Sequence, residues 1–370
     1  MLILKRSLTW ILLFFAVMAA AGALPTWGEG RRASPVMDAM QVELEREMKV
    51  LGKEPTPPYF LSYEITDDRT AGASASFGQL VGSNQTHHRQ LDIDLRVGSR
   101  DFDSTHLLRG DGASGGGAGH SFLQMSLEDD PDAIRSLLWT YTDRDYKQAL
   151  EQLTKARTNS EVKVEQEDKS ADFSQEQAQK FSEPPVTLGV DRQAWEQKVR
   201  KYTVPFSKFG NIYEASASIS ADAQTRWFVN TEGAGIETSQ AYYRLSIWAS
   251  TRADDGMVLP RYESFYAATE EGLPDDATVL KAVEQMIKDL EALRSAPVVD
   301  PYTGPAILSG RASGVFFHEV FGHRIEGHRQ KRVEEGQTFK KKVNEKILPE
   351  SFSVFSDPTV HHVGQADLVG

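Results

Sequence analysis

The chain has 370 residues, 40% hydrophobic and 25% charged, an ordinary globular composition that excludes a wholly disordered protein and leaves room for two or more domains. Its 53 Asp and Glu outnumber 41 Lys and Arg, and no basic patch interleaved with aromatics occurs, so charge argues against direct nucleic-acid binding. Cysteine is absent, which excludes disulfides, thiolate nucleophiles and thiolate metal ligands.

Residues 1–23 read as a secretory signal. Lys5 and Arg6 form a basic start, "ILLFFAVMAA" is an apolar run too short to span and stop, and Ala21, Gly22 and Ala23 offer small residues for cleavage. Cleavage after Ala23 leaves 41 − 2 = 39 cations against 53 anions, a mature charge near −14. The expected location is outside the cytoplasm, in a periplasm; the alternative is an uncleaved N-terminal membrane anchor.

Residues 24–156 are expected to form an N-terminal α+β domain. In "PVMDAMQVELEREMKVLG" the apolar Met37, Met40, Leu44, Met48 and Leu51 recur at helical spacing, and Gly52 and Pro55 close the pattern. From Tyr59 to Arg100 the period becomes two, most plainly at Leu91, Ile93, Leu95 and Val97, which predicts a sheet. The run "RGDGASGGGAGHS" lacks the Lys-Ser/Thr ending of a phosphate-binding loop and reads as a flexible surface loop. Asp130 as N-cap and Pro131 at the first helical position then open a long helix, with Ile134, Leu137, Leu138, Tyr141, Ala149, Leu150 and Leu153 on its core stripe.

Residues 157–190 are polar, rich in Glu and Gln, and end in two prolines, as a solvated connection would be. Residues 191–298 are expected to form a middle α+β domain: a short helix in "DRQAWEQKVRKYT", antiparallel hairpins over 211–268, and a helix with Val279, Val283, Met286, Leu290 and Leu293 inward and Pro297 as its stop. Segregated helices and strands place the whole in the α+β class.

Residues 299–370 carry the chemistry. In "SGVFFHEVFGHRIEGH", residues 313–328, His318 and Glu319 are followed by His323. Zinc accepts neutral imidazole nitrogen, and a neighbouring carboxylate supplies a general base for hydrolysis, so the inventory suits a hydrolytic metal site. On a regular helix, at ~100° per residue, positions five apart differ by ~140°, so both histidines reach one ion only if the helix loosens between them. Gly322 is placed to end the helix or to accept a π-type bulge. Val315, Phe316, Phe317, Val320 and Phe321 are expected to bury this helix, and Glu319, next to the first ligand, to project differently and be free to act as general base. A histidine on an apolar helix is more often a hydrogen-bonded core residue, and spacing alone leaves both readings open.

"YTGPAILSGRASGVFFHEVFGHRIEGHRQ" resembles the motif region of the TldD/PmbA metallopeptidases, also called modulators of DNA gyrase. The likeness takes in the preceding Gly-Pro-apolar-Leu-Ser stretch, expected as a strand, and, more weakly, upstream phrases such as "VNTEGAGIETSQAYYRLSIWASTRADDG". It implies a Zn2+-dependent peptidase acting on short or unfolded peptides, with His318 and His323 as zinc ligands and Glu319 as the catalytic glutamate. It also implies a homodimer, or a heterodimer with a paralogue. The alternative is a non-catalytic partner subunit of the same fold. The family's third ligand is a downstream Cys in a β-rich region, and this sequence has none. The expectation is therefore a chain truncated at its C-terminus, with a replacement ligand from His328, His361 or His362 as the rival; His328 equally suits a substrate contact.

Overall fold

A computed structural model describes residues 34–108, 123–161, 170–327, 329, 336–357, 359–360, 362–363 and 366–367. The chain divides into residues 1–34 and a unit of residues 35–370, and every element named below belongs to the second. The signal segment 1–23 and the glycine-rich run at 109–121 lie outside the described residues. Among the described residues no helix is long and apolar enough to cross a membrane.

The first helix, α1 (Pro35–Leu51), buries Met40, Leu44 and Leu51 as its periodicity predicts. It stops at Gly52, where an added Cβ would lie 2.7 Å from the Met48 carbonyl oxygen that accepts the Gly52 N–H. Strands β1 (Pro58–Ser76) and β2 (Gln79–Val97) follow as one long hairpin. Its two-residue turn, Phe77 and Gly78, has φ of 46° and 80°. Both lie in the left-handed region, which matches the twist of the flanking strands.

After β3 (Leu123–Gln124) comes α2 (Pro131–Glu161), whose stripe buries Ile134, Leu138, Ala149 and Leu153. The segment expected as a solvated connection is more tied down than its polarity suggests. β4 (Lys180–Ser182) pairs in parallel with β6 (Gly235–Arg252), Phe173 packs 4.6 Å from Phe60 under the Arg96 guanidinium, and Asp172 accepts from His106 Nδ1 at 2.9 Å. One aromatic and one carboxylate anchor a stretch that composition alone marks as solvent-exposed.

Helix α3 (Arg192–Thr203) starts at Asp191, whose carboxylate accepts the Ala194 N–H. It leads through a 3-10 turn (Val204–Lys208) into β5 (Ile212–Asn230), then β6 and β7 (Val258–Ala267), joined by turns with Gly233 and Gly256 at positive φ. Helix α4 (Asp276–Arg294) completes the set, N-capped by Asp275.

These strands form one seven-stranded sheet in the order β3-β2-β1-β5-β6, with β4 and β7 both on the far edge of β6. All pairs are antiparallel except β4 with β6. The fold is α+β. The β1–β5 pairing joins strands from the segments drawn at 24–156 and 191–298, so both contribute to a single sheet.

Side-chain parity locates the core. On β1, Leu61, Tyr63 and Ile65 belong to one apolar cluster and Ala71, Ala73 and Ala75 to another, all at odd positions and hence on one face. Helices α1 and α2 cover the first cluster; α3 and α4 cover the second with Trp195, Val199, Val283 and Leu290. Between the clusters on the same face sits a buried ion pair. Asp67 accepts from Arg89 Nε at 2.8 Å and from His87 Nε2 at 2.9 Å. Burial works against its charge, but His87 and Arg89 prevail and hold the Asp67 carboxyl below its usual range.

Beyond α4, residues 295–309 run without a paired strand, so the Gly-Pro-apolar-Leu-Ser stretch is not the strand expected. Among the described residues, no strand lies beside it to complete a ladder. Helix α5 (Gly310–Phe317) follows, with Arg311 Nη2 3.7 Å from Glu263 of β7. A two-residue ribbon, β8 (His362–Val363) with β9 (Ala366–Asp367), lies near the end.

Candidate metal centre

Helix α5 does not continue as an α-helix. Residues His318–Gly322 form a π-turn, and a single helical turn, His323–Ile325, follows. The bond that makes the turn π-type runs from the His323 N–H to the His318 carbonyl, five residues back. The two histidines are thus the two ends of the widened turn, and the extra residue that would have set them ~140° apart on an α-helix is absorbed.

Gly322 does not achieve this through a left-handed backbone. Its φ and ψ are −51° and −58°, ordinary helical values, as are those of His318 and His323. A Cβ at Gly322 would sit 3.8 Å from His318 Nδ1, an ordinary contact. What the glycine contributes is open space beside that ring.

The His318 and His323 ring centroids are 4.5 Å apart at an interplanar angle of 71°. Glu319 lies beside them. Its Oε2 lies 3.9 Å from His323 Nε2, and one ligand atom from each of the three residues falls within 4.8 Å of the others. Donors on one tetrahedral zinc lie about 3.4 Å apart at the usual Zn–N distance of about 2.1 Å, so the side chains would have to rotate inward by up to roughly 1.4 Å to share an ion. Two imidazoles and a carboxylate on exposed side chains are donors of the type that fits a divalent metal. Among the described residues the metal-competent set is these three. His328 and His361 lie outside the described residues, and His362 begins β8.

Sequence reasoning missed a neighbour of the site. Glu326 accepts from His323 Nδ1 at 2.7 Å and is bonded on its other oxygen by Arg329 Nε. Those two hydrogen bonds, Arg329's the larger, bring the Glu326 carboxyl down to about 2. The available signal was a carboxylate three residues beyond a candidate ligand, at the point where the chain leaves the helix.

The expected burial of this helix does not hold. Val315, Phe316, Phe317 and Val320 are exposed, Phe316 at 57%, and of the five apolar residues only Phe321 is buried, at 6%. Phe321 stacks on Phe317 at 5.0 Å and meets Phe339 at 6.1 Å, beside a groove of about 420 Å³ formed with residues 346–350, Phe352 and Val354. Among the described residues, nothing forms a second layer over the other apolar side chains. His318 and Glu319 are likewise exposed, so the cluster is not a satisfied core histidine.

Residues 301–367 match the model of the PmbA/TldA metallopeptidase C-terminal domain, a span that contains the whole π-turn cluster. That segment is similar to the C-terminal domain of the PmbA/TldA metallopeptidases. Solved structures similar to the chain include a protein described as a modulator of a DNA gyrase from Thermotoga maritima, with 16% identity and a TM-score of 0.39 over 67% of this chain and 47% of that one. TldE from Thermococcus kodakarensis has 11% identity and a TM-score of 0.37 over 68% and 47%. A further modulator of DNA gyrase, from Bacteroides thetaiotaomicron, has 10% identity and a TM-score of 0.40 over 68% and 49%. The chain spans about half the length of these structures. No curated protein matches it. The span that matches this metallopeptidase domain contains the stretch where, among the described residues, a π-turn gathers two imidazoles and a carboxylate.

Proposed function

We propose that the protein is a zinc-dependent peptidase in which His318 and His323 hold the metal and Glu319 is the general base. The observation that carries this reading is the π-turn, which is a departure from the favoured helix and brings the two histidines and the glutamate to one point. When bound there, zinc supplies Lewis acidity, polarising an amide carbonyl and acidifying water. His318 and His323 present neutral imidazole nitrogens. Glu319, adjacent to the first ligand and exposed, takes up a proton on its carboxylate and returns it to the departing amine. Two imidazoles leave coordination positions open for a third ligand and for substrate, and the exposed setting admits short or unfolded peptides. The basic and apolar residues of the 1–23 segment support an exported protein.

The test is metal binding paired with turnover. Zinc titration against a chromophoric chelator should give one ion per chain, abolished by His318→Ala with His323→Ala. Glu319→Gln should keep the metal while hydrolysis of an unstructured peptide falls about a hundredfold or more, the usual scale for a positioned acid-base group. Zinc retained by the double alanine variant, or full turnover by Glu319→Gln, overturns the assignment. A protein that binds zinc and cleaves nothing is instead the non-catalytic subunit.

A further inference from the structure

We propose that Glu326 is a positioning residue for His323: it fixes the ring with its proton on Nδ1, leaving the Nε2 lone pair turned toward His318 and Glu319, and Arg329 holds Glu326 in that pose. The tautomer follows from the hydrogen bonds on the page. An ionised carboxylate only accepts, so the 2.7 Å contact between Glu326 Oε1 and His323 Nδ1 requires the proton on that nitrogen. In a neutral imidazole the other nitrogen is then unprotonated, and Nε2 is the atom 3.9 Å from Glu319 Oε2.

The backbone explains why Glu326 can do this. At Glu326 the chain leaves the helical turn, with φ −58° and ψ 125°, and its side chain reaches His323 three residues back. Its second oxygen is occupied by Arg329 Nε, three residues further on. The carboxylate is therefore held at both oxygens, between a ligand candidate and a guanidinium, instead of sweeping through solvent as an exposed glutamate does. A ring fixed through Nδ1 loses less freedom when Nε2 takes a metal, and the negative charge behind it raises the ring's donor strength.

The metal part of this inference rests on the function proposed above; the tautomer part does not, and the experiment separates them. Imidazole 15N–1H correlation spectra of the metal-free protein, recorded at about pH 8 where an ordinary ring is neutral, report which nitrogen carries the proton. His323 should be protonated on Nδ1 in wild type and should lose that preference in Glu326→Ala. Zinc affinity should weaken ten- to hundredfold in Glu326→Ala. Glu326→Gln should fall between, because its amide oxygen still accepts from Nδ1–H without the charge, and Arg329→Ala should weaken zinc by less than Glu326→Ala. Circular dichroism of each variant establishes that the fold is retained; Glu326 is half-exposed, so truncation removes no core contact. Protonation on Nε2 in wild type overturns the inference, as does a Glu326→Ala protein with wild-type tautomer or wild-type zinc affinity. Failure of wild type to bind zinc, with the tautomer as expected, removes the peptidase reading and leaves the Glu326–His323 pairing standing.

Discussion

Replacing Glu47 by Gln should stabilise the protein at alkaline pH and leave it unchanged in acid. Glu47 sits on α1 facing α2, only 3% exposed, with Arg46 as its ion-pair partner and Glu43 one helical turn away. Burial is the dominant influence and pushes its carboxyl from 4.5 up to about 7; Arg46 opposes the rise, while Glu43 and Asp143 add to it. A carboxyl whose native pKa lies above its unfolded value contributes stability in full below the unfolded value, here ~4.5, and loses it as pH climbs to about 7. At 1.36 kcal/mol per pH unit, that window amounts to roughly 3 kcal/mol. The glutamine keeps the shape of the protonated acid and has no charge to bury. Urea denaturation of both proteins at about pH 4 and about pH 8 reads the effect, since titrations of groups not coupled to Glu47 cancel between them. The stabilities should coincide in acid and separate by up to roughly 3 kcal/mol in the variant's favour in base. A Glu47→Gln protein that is the less stable one at about pH 8 would show that the Arg46 ion pair outweighs desolvation, and the reasoning fails.

Excising Val320 should let an ordinary α-helix bring the two histidines together at four-residue spacing, so zinc affinity should hold within about tenfold; loss of zinc with the fold intact would show that the π-turn does more than set the face. Leu138→Ala, at a fully buried position under α1, should lower stability by about 2–5 kcal/mol in denaturant titrations, with a smaller value meaning that the cluster collapses into the cavity. Asp275→Ala removes the carboxylate that accepts the Thr278 N–H at 2.9 Å, and thermal melts should register a lower midpoint than wild type; an unchanged midpoint would show that the cap contributes nothing.

The helices were legible because their physics is local. Asp191 and Asp275 cap α3 and α4, Pro131 opens α2, and the apolar stripes bury as their period dictates. Strand identity was legible too, but strand partnership was not: nothing in the two segments announces that Tyr63 faces Val229 across 166 positions. The turn at Phe77 and Gly78 escaped because Phe is a rare occupant of a left-handed position, which tertiary packing imposes here. At the site, spacing demanded a loosened helix, and the π-turn supplies it. The error there came from hydropathy. Val315, Phe316, Phe317 and Val320 look like a core stripe and are exposed among the described residues. Whether an apolar side chain is covered depends on what packs over it, which a period cannot report.

The buried Asp67–Arg89 pair has a consequence for how the hairpin finds its alignment. A slip of β2 by one residue would turn Leu91, Ile93, Leu95 and Val97 of the first apolar cluster to the wrong face, an error that hydrophobicity alone rejects. A slip by two keeps every apolar residue on the correct face, and burial is nearly blind to it. It would, however, set Arg89 opposite Ile65 or Arg69 instead of Asp67, parting a buried guanidinium from the carboxylate beside it. Apolar parity thus excludes the odd misalignments and the single ion pair excludes the even ones. Between them they leave the 19-residue strands one pairing in which neither oily nor charged groups are misplaced.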